Sequence, residues 1–264
     1  MVRAGLVIVL ITAFAAVAGP FLSPYDSAAQ ELARRLEAPS AAHPLGLDEL
    51  GRDILARLLE GARISLLVGL AVVSVSSTVG MLFGSIAGYF GGRIDDVISR
   101  VIDVLMAFPG ILLAIALVAV LGPSLTNVVL ALSVIGWVGY ARLVRGQALR
   151  AREFEFVQAA RASGANSARI VFRHILPTAL PSVVVQATLG MAGAIIAEAS
   201  LSFLGLGVQP PTPSWGTMLD AGRAHLFDAP HLTVFPGLSI ALLVLGFNFL
   251  GDGLRDRVDP KMVR

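Results

Sequence analysis

The sequence of 264 residues contains no cysteine and a single lysine, Lys261. Without cysteine there can be no disulfides and no metal sites with thiolate ligands. Because Lys261 does not follow the pattern G-x-x-x-x-G-K-S/T, the chain cannot hold nucleotide phosphates in a loop of that type. Charged residues make up only 14% of the chain, whereas soluble domains usually carry roughly a quarter. These shortages argue against a single soluble core.

Apolar residues, in contrast, are abundant. They make up 56% of the chain, and the mean hydropathy is +0.80. The isoelectric point is near 9.5, but the formal net charge is only +2 and the basic residues cluster beside apolar runs. Membrane topology explains that clustering better than a nucleic-acid partner does. The composition therefore predicts an all-α integral membrane protein.

Uncharged runs of roughly 20 residues are long enough to cross a bilayer. The sequence predicts five such helices, at 64–90, two within 103–141, 178–197 and 232–251, and a sixth, slightly short one at 6–21. The resulting organisation is a first transmembrane helix (1–22), an extracytoplasmic segment (23–63), a five-helix core (64–252) that includes a loop at 145–177, and a cytoplasmic tail (253–264). A short apolar run that ends in AVAG at 16–19 also resembles a cleavable signal peptide, so that alternative stays open.

The distribution of arginine and lysine predicts the orientation. With six spans, 14 of the 20 cationic residues fall on the side that holds both termini. Because cytoplasmic loops carry the excess of such residues, both termini and the loop at 145–177 are expected in the cytoplasm. The expected location is a cell membrane.

Two outer segments have recognisable patterns. LGRDILARLLEGAR, from Leu50, is expected to form an interfacial helix in the plane of the membrane; a soluble helix packed on a loop is the alternative. Its apolar face would hold Leu50, Ile54, Leu55, Leu58 and Leu59, and its polar face Arg52, Asp53, Arg57 and Glu60. In the second segment, rich in glycine and proline, Trp215 is expected to anchor the chain at the membrane interface.

The loop at 145–177 is longer than a connection requires. Helix-forming residues predict a helix over 150–163 that ends at Gly164. Asn166 or Ser167 can cap a second short helix over 168–176, and Pro177 is expected to bend the chain before the next span. The pattern fits a docking surface for a cytoplasmic partner, and equally a solvated linker that only sets the topology.

VQAARASGANSARIVFRHILP resembles the EAA loop of binding-protein-dependent ABC importer permeases. Gln158 stands where that family commonly has Glu. The positions that the resemblance assigns to coupling with an ATPase are Gln158, Ala159, Ala160, Arg161, Gly164, Ile175, Leu176 and Pro177.

Two further blocks are similar to the dipeptide, oligopeptide and nickel permeases within that family. HPLGLDELGRDILARLLEGARISLLVGL begins at His43 and has Leu47 where Thr is usual, and AEASLSFLGLGVQPPTPSWGTML begins at Ala197. The resemblance implies the type I ABC importer permease fold with a cytoplasmic coupling-helix loop, as the second of two permease subunits.

The resemblance also implies a location, the inner membrane of a prokaryotic cell. It implies partners as well: a second homologous permease, two cytoplasmic ABC ATPase subunits that bind ATP and Mg²⁺, an extracytoplasmic solute-binding protein, and membrane lipid. No cofactor is expected in this chain, and no nucleic acid. The implied function is import of a dipeptide or oligopeptide. Nickel or another small solute is the alternative, and a secondary transporter is a less favoured one.

Catalytic and metal-binding patterns are not apparent. The sequence has no Ser/His/Asp arrangement and no paired carboxylates, so the chain is not expected to be an enzyme. The histidines, His43, His174, His225 and His231, have a spacing that suits no metal site. Three carboxylates near the spans, Asp103, Glu198 and Asp252, could relay protons, but structural pairing is the favoured interpretation.

Overall fold

A computed structural model describes residues 1–258, and within that range the regular elements are helices apart from one isolated bridge between Leu47 and Asp53. The last six positions of the predicted tail, with Lys261, lie outside the described residues. The helices are α1 (Val2–Leu22), α2 (Ile54–Phe90), α3 (Gly92–Met106), α4 (Gly110–Leu121), α5 (Leu125–Ala151), α6 (Glu155–Ala162), α7 (Ser167–Ile170), a π-helical turn (Val171–Ile175), α8 (Leu176–Phe203), α9 (Trp215–Gly222) and α10 (His231–Val258).

Five helical stretches are long and apolar enough to cross a membrane: Val2–Gly19, Ile54–Phe90, Leu125–Ala151, Ser167–Phe203 and His231–Arg257. Helices α3 and α4 together make a sixth candidate span, which is bent by 85° at a short break. The prediction of an all-helical membrane fold is confirmed. The third span differs from the prediction because it is two short helices, of which α4 alone, at about 18 Å, is too short to cross.

The break in the third span lies at a proline. Pro109 is the N-cap of α4. Proline has no backbone N–H, and its ring disfavours helical geometry at the residue before it. Helix α3 therefore ends at Met106, and the chain starts a new helix in another direction.

Small residues bring α2 and α5 together. Gly80, Gly84 and Gly88 follow one another at intervals of four residues on the face of α2 that meets α5. A Cβ on Gly84 would lie 2.5 Å from the carbonyl oxygen of Ala141, and one on Gly88 would lie 2.6 Å from that of Arg145. Close backbone approach between small residues is a common way for membrane helices to associate. Two of the long helices of the bundle are joined in this way.

The predicted interfacial helix is not a separate element. Asp53 caps α2, its side chain accepting a bond from the Ala56 N–H at 2.8 Å, and the helix continues from Ile54 to Phe90 without a turn. The polar face was also placed wrongly: Arg57 is 5% exposed. It faces segment 23–53 instead of water, because that segment supplies its partners.

Candidate functional site

We call residues 152–177, which follow α5, the elbow. Helix α5 ends at Ala151, the chain turns, and α6 runs from Glu155 to Ala162, so the predicted single helix over 150–163 is divided in two. Gly164 then adopts φ +83°, a conformation that glycine reaches at little cost. Its N–H donates to the carbonyl of Arg161 at 3.0 Å. Gly164 ends the helix as its sequence position predicts.

An apolar cluster holds α6 against the ends of two spans. The side chain of Val157 is fully buried and packs with Ile170 and Ile175, beside Ala148 and Ala151 of α5. The opposite side of α6 is open. Exposed or half-exposed residues there are Gln158, Ala159, Ala160, Arg161 and Gly164. The apolar cluster thus holds one side of α6, and the opposite side presents a surface that includes the short side chains of Ala159 and Ala160.

Polar contacts add to this attachment. The Arg161 guanidinium lies over the Tyr89 ring, 5.5 Å from its centroid, and Arg152 donates to the carbonyl oxygen of Gly88 at 3.4 Å. The Gln158 amide donates to the Glu153 carbonyl oxygen at 3.2 Å. These groups border an open cavity of about 700 Å³ between the end of α2 and α6. Its lining residues are Tyr89, Phe90, Arg152, Glu153, Gln158, Arg161, Ala162 and Ser167.

The second half of the elbow joins α8 without a bend. Asn166 caps α7, accepting a bond from the Arg169 N–H at 2.8 Å, which fulfils the predicted capping. The predicted bend at Pro177 is wrong, because helix continues from Ser167 to Phe203. The π-helical turn explains this: the Leu176 N–H bonds to the Val171 carbonyl, five residues back, and such a wider turn can relieve the clash that proline normally imposes.

The coupling residues predicted from the sequence therefore fall into two groups. Gln158 to Gly164 are displayed on the open surface of the elbow. Ile175 is fully buried within the anchoring cluster, Leu176 is partly buried, and Pro177 is exposed at the start of α8. The first group can contact another protein, whereas Ile175 can only support it.

At the other end of the bundle, buried ions fasten segment 23–53 to α2. We call His43, Asp48, Arg52, Asp53 and Arg57 the Asp48 network. Asp48 accepts from Arg52 Nε at 2.7 Å and lies 3.4 Å from Arg57 Nε. His43 Nδ1 lies 2.8 Å from Asp53 Oδ2. All five are at most 6% exposed. His43 therefore has a structural role in this network, which its sequence position did not indicate.

A second buried carboxylate joins α2 and α8 at the same end. Glu198 is fully buried and accepts hydrogen bonds from Ser202 Oγ at 2.7 Å and Ser65 Oγ at 3.3 Å. Its bonding supports the structural interpretation of this residue over a proton relay. Trp215 is 2% exposed, and its Nε1 donates to the Leu58 carbonyl at 2.9 Å. The prediction that Trp215 anchors the chain at a membrane interface is wrong, because it packs inside the protein.

The remaining predicted polar residues have ordinary surroundings. Asp103 pairs with Arg142 at 2.8 Å, and Asp252 is exposed. His225 Nδ1 lies 3.0 Å from the Asp228 carboxylate, and this hydrogen bond lowers the pKa of Asp228. Within residues 1–258, no group of His, Asp and Glu side chains is placed to hold a metal ion.

Two protein-family models match this chain. The family model for the inner membrane component of binding-protein-dependent transport systems matches residues 80–264. A second model, the N-terminal transmembrane domain of oligopeptide transport permease C, matches residues 1–39.

Curated relatives span nearly the whole chain. The dipeptide transport system permease protein of Alkalihalophilus pseudofirmus is 48% identical over 98% of this chain and 85% of its own length. The glutathione transport system permease protein of Pectobacterium atrosepticum is 49% identical over 99% of this chain and 87% of its own length.

Among solved structures, the inward-facing MetNI methionine ABC transporter has a chain that superposes with a TM-score of 0.61 at 21% identity. The match covers 77% of this chain and 97% of that one, and it shows the fold alone. With its candidate membrane spans and these matches, the chain is a multi-pass membrane protein that belongs to the binding-protein-dependent transport permeases, the membrane components of ABC importers.

Proposed function

We propose that this chain is one permease subunit of an ATP-driven importer that carries small peptides into the cytoplasm. Both reported relatives are named for peptide solutes, since glutathione is a tripeptide. These names favour a peptide over nickel as the transported solute. In this proposal the chain is non-catalytic, because it has no phosphate-binding loop; partner ATPases bind ATP and Mg²⁺.

The proposed assembly also contains a second, homologous permease and an extracytoplasmic solute-binding protein. The elbow at 152–177 faces the cytoplasm with both termini, as the excess of arginine on that side indicates. The observation that carries the proposal is the pairing of an open surface at Gln158–Gly164 with a fully buried support at Val157. A linker that only set the topology would need neither.

The elbow can transmit motion because its parts are rigidly connected. Force applied by an ATPase at 158–164 reaches Ile170 and Ile175 through the buried side chain of Val157. These two residues belong to the helical stretch Ser167–Phe203, which is long and apolar enough to cross the membrane. Reversing a strongly biased equilibrium between inward-open and outward-open states takes roughly 5.5 kcal/mol, which nucleotide-driven closure of the ATPase pair would supply.

Gly164 provides the test. Its φ of +83° strains a β-branched side chain, although a Cβ there would meet nothing within 4 Å. We expect Gly164→Val to lower peptide uptake per ATP hydrolysed in proteoliposomes that contain the whole importer. Gly164→Asn is the matched control, because asparagine tolerates this conformation, and it should retain coupling. Uptake at the wild-type rate by the valine variant would contradict the proposed coupling.

A secondary transporter was the alternative from another class that the sequence left open. Such proteins use broken helices and midplane ion sites, and the break between α3 and α4 is a feature of that kind. Co-purification separates the two possibilities. Our proposal predicts that two ATPase subunits purify with the chain and that uptake stops when ATP is withheld, whereas uptake driven by an ion gradient without ATP would refute it.

A further inference from the structure

A groove runs along α5 between α3 and α8. On one side of α5, Ile102 of α3 packs with Val138 and Ala141. On another side, Gln147 Nε2 donates to Ser182 Oγ of α8 at 3.3 Å. With about 100° of rotation per residue, a strip of α5 lies between these two contacts and is covered by neither helix.

Two glycines form the floor of this groove. Gly139 and Gly146 are seven residues apart, nearly two turns, and both are exposed. A Cβ on Gly146 would meet nothing within 4 Å, and one on Gly139 would meet only the Gln186 side-chain nitrogen, at 3.9 Å. The floor is thus bare backbone, and Gln186 of α8 stands beside it.

Gln186 is a polar residue at a position deep within a candidate membrane span. It lies about 15 Å along the helix axis from Leu176 and about 26 Å from Phe203, well inside the span. Its side chain is exposed, and it makes no hydrogen bond to any residue in 1–258. Lipid offers an amide no partners, so an amide there is expected to face a polar environment.

Other polar side chains of α8 are already satisfied. Thr188 Oγ1 donates to the Val184 carbonyl at 2.9 Å, and Ser200 Oγ donates to the Ile196 carbonyl at 2.8 Å. Such hydroxyls can lie against lipid because they bond to their own helix. The exposed amide of Gln186 has no equivalent bond, and this distinguishes it.

A charged pair lies further along the same edge. Arg142 follows Gly139 by three residues and pairs with Asp103 at 2.8 Å, although the side chains are 51% and 67% exposed. By contrast, the exposed side chains of α1 include Leu10, Phe14 and Val17, as expected of a surface in lipid. Polar exposure at the groove therefore indicates water.

We infer that this groove is the wall that the chain contributes to the translocation path, and that Gln186 hydrogen-bonds the main chain of the passing peptide. The inference rests on the proposed function and names a contact within it. A carboxamide both donates and accepts hydrogen bonds, which matches a peptide bond and does not depend on the peptide's side chains. Gln186 would thus recognise peptides as a class.

Cysteine accessibility tests the inference, because the native chain has no cysteine. Gln186→Cys is compared with Val184→Cys, which is two residues away and half exposed on another side of α8. Both are made in the complete importer in lipid and treated with a charged methanethiosulfonate, and labelling is read on this subunit alone. Because the thiolate reacts only where water and the charged reagent can enter, we expect Gln186→Cys to react at least about tenfold faster.

Added dipeptide should slow the labelling of Gln186→Cys and leave that of Val184→Cys unchanged. Equal, slow labelling of both variants would overturn the inference. So would labelling of Gln186→Cys that disappears on assembly with the second permease, since the groove would then be a subunit interface.

A kinetic test addresses the peptide contact itself. Gln186→Leu removes the hydrogen-bonding group while keeping a side chain of similar size. We expect the KM for dipeptide uptake to rise up to about tenfold, the value of one lost hydrogen bond; an unchanged KM would overturn the role of Gln186. Failure of the wild-type importer to carry any dipeptide or oligopeptide would refute the proposed function. Normal wild-type uptake with an unreactive Gln186→Cys would refute only this inference.

Discussion

The two ends of the bundle are held together by different forces. At one end, the Asp48 network and Glu198 fasten segment 23–53, α2 and α8 through buried charged and polar groups. At the other, the elbow rests on the apolar cluster around Val157, with a guanidinium over the ring of Tyr89. Hydrogen bonds and ion pairs depend strongly on geometry, whereas apolar contacts are not directional.

This difference indicates where the molecule can move. Displacing the Asp48 network would leave buried charges without partners, which costs several kcal/mol, so that end is expected to move as a rigid unit. The α6 helix can shift with its apolar support and lose little. Substitutions at the first end should therefore reduce stability, and substitutions at the elbow should reduce coupling.

The largest effect is expected from Asp48→Ala. The substitution leaves Arg52 and Arg57 buried without their shared carboxylate. We expect a loss of about 3–5 kcal/mol, measured as a lower Tm of the purified importer. Glu153→Ala is the matched control at the elbow, since the Glu153 side chain is 67% exposed in its pair with Arg152. That variant should lose at most about 1 kcal/mol. An equal loss in both variants would contradict the difference between the two ends of the bundle.

Glu198→Ala should have the next largest effect. It removes the acceptor of Ser202 and Ser65 inside the protein, and an unsatisfied buried group costs about 1–3 kcal/mol. Glu198→Gln keeps an acceptor oxygen and should recover most of the Tm. If glutamine were as harmful as alanine, the hydrogen bonds from Ser202 and Ser65 would not account for the contribution of Glu198 to stability.

Val157→Ala should produce a smaller change in stability. Two buried methyl groups are lost, at about 0.8 kcal/mol each. The main consequence should appear elsewhere, as fewer peptides carried per ATP hydrolysed, because α6 loses its contact with Ile170 and Ile175. Uptake and ATP hydrolysis measured on the same proteoliposomes give this ratio. An unchanged ratio with a lower Tm would make Val157 structural only.

The smallest effect concerns pH and the half-exposed pair of Arg34 and Glu37, which lies beside the Asp48 network. The hydrogen bond from Arg34 lowers the pKa of Glu37 below its ordinary 4.5. A carboxylate whose pKa is lowered by folding stabilises the fold at pH values above its ordinary pKa. That stabilisation is lost as the pH falls through the lowered pKa. The Tm difference between wild type and Glu37→Gln should therefore be small at pH 7 and vanish on acidification. A difference that grew with acidification would contradict this assignment.

Local rules predicted the turn of the elbow but not its helix boundaries. Gly164 ends α6 and Asn166 caps α7 as expected, because both residues act through bonds within a few positions of themselves. The family and the helical membrane fold were also predicted correctly, since long apolar runs and the sequence blocks are visible in one chain. The role of Gln158 to Gly164 in coupling stays a prediction.

Features that depend on distant partners were missed. Arg57 looked like part of a solvated helix face, because nothing near it in sequence shows that Asp48 folds back onto it. The spacing of Gly80, Gly84 and Gly88 was visible, but only α5 shows which surface they meet. The helix through Pro177 depends on a π-helical turn that no local propensity indicates.

The central claim, that α6 receives force from an ATPase, is tested most directly by attaching a photoreactive cross-linker to Ala159→Cys in the assembled importer. Ala159 is exposed on α6, and Phe227→Cys, exposed between α9 and α10, is the control on the opposite side of the membrane. We predict that the first cross-links to an ATPase subunit and the second does not. If Ala159→Cys were reached only by reagents applied outside the cell and never cross-linked to an ATPase, the account would be contradicted.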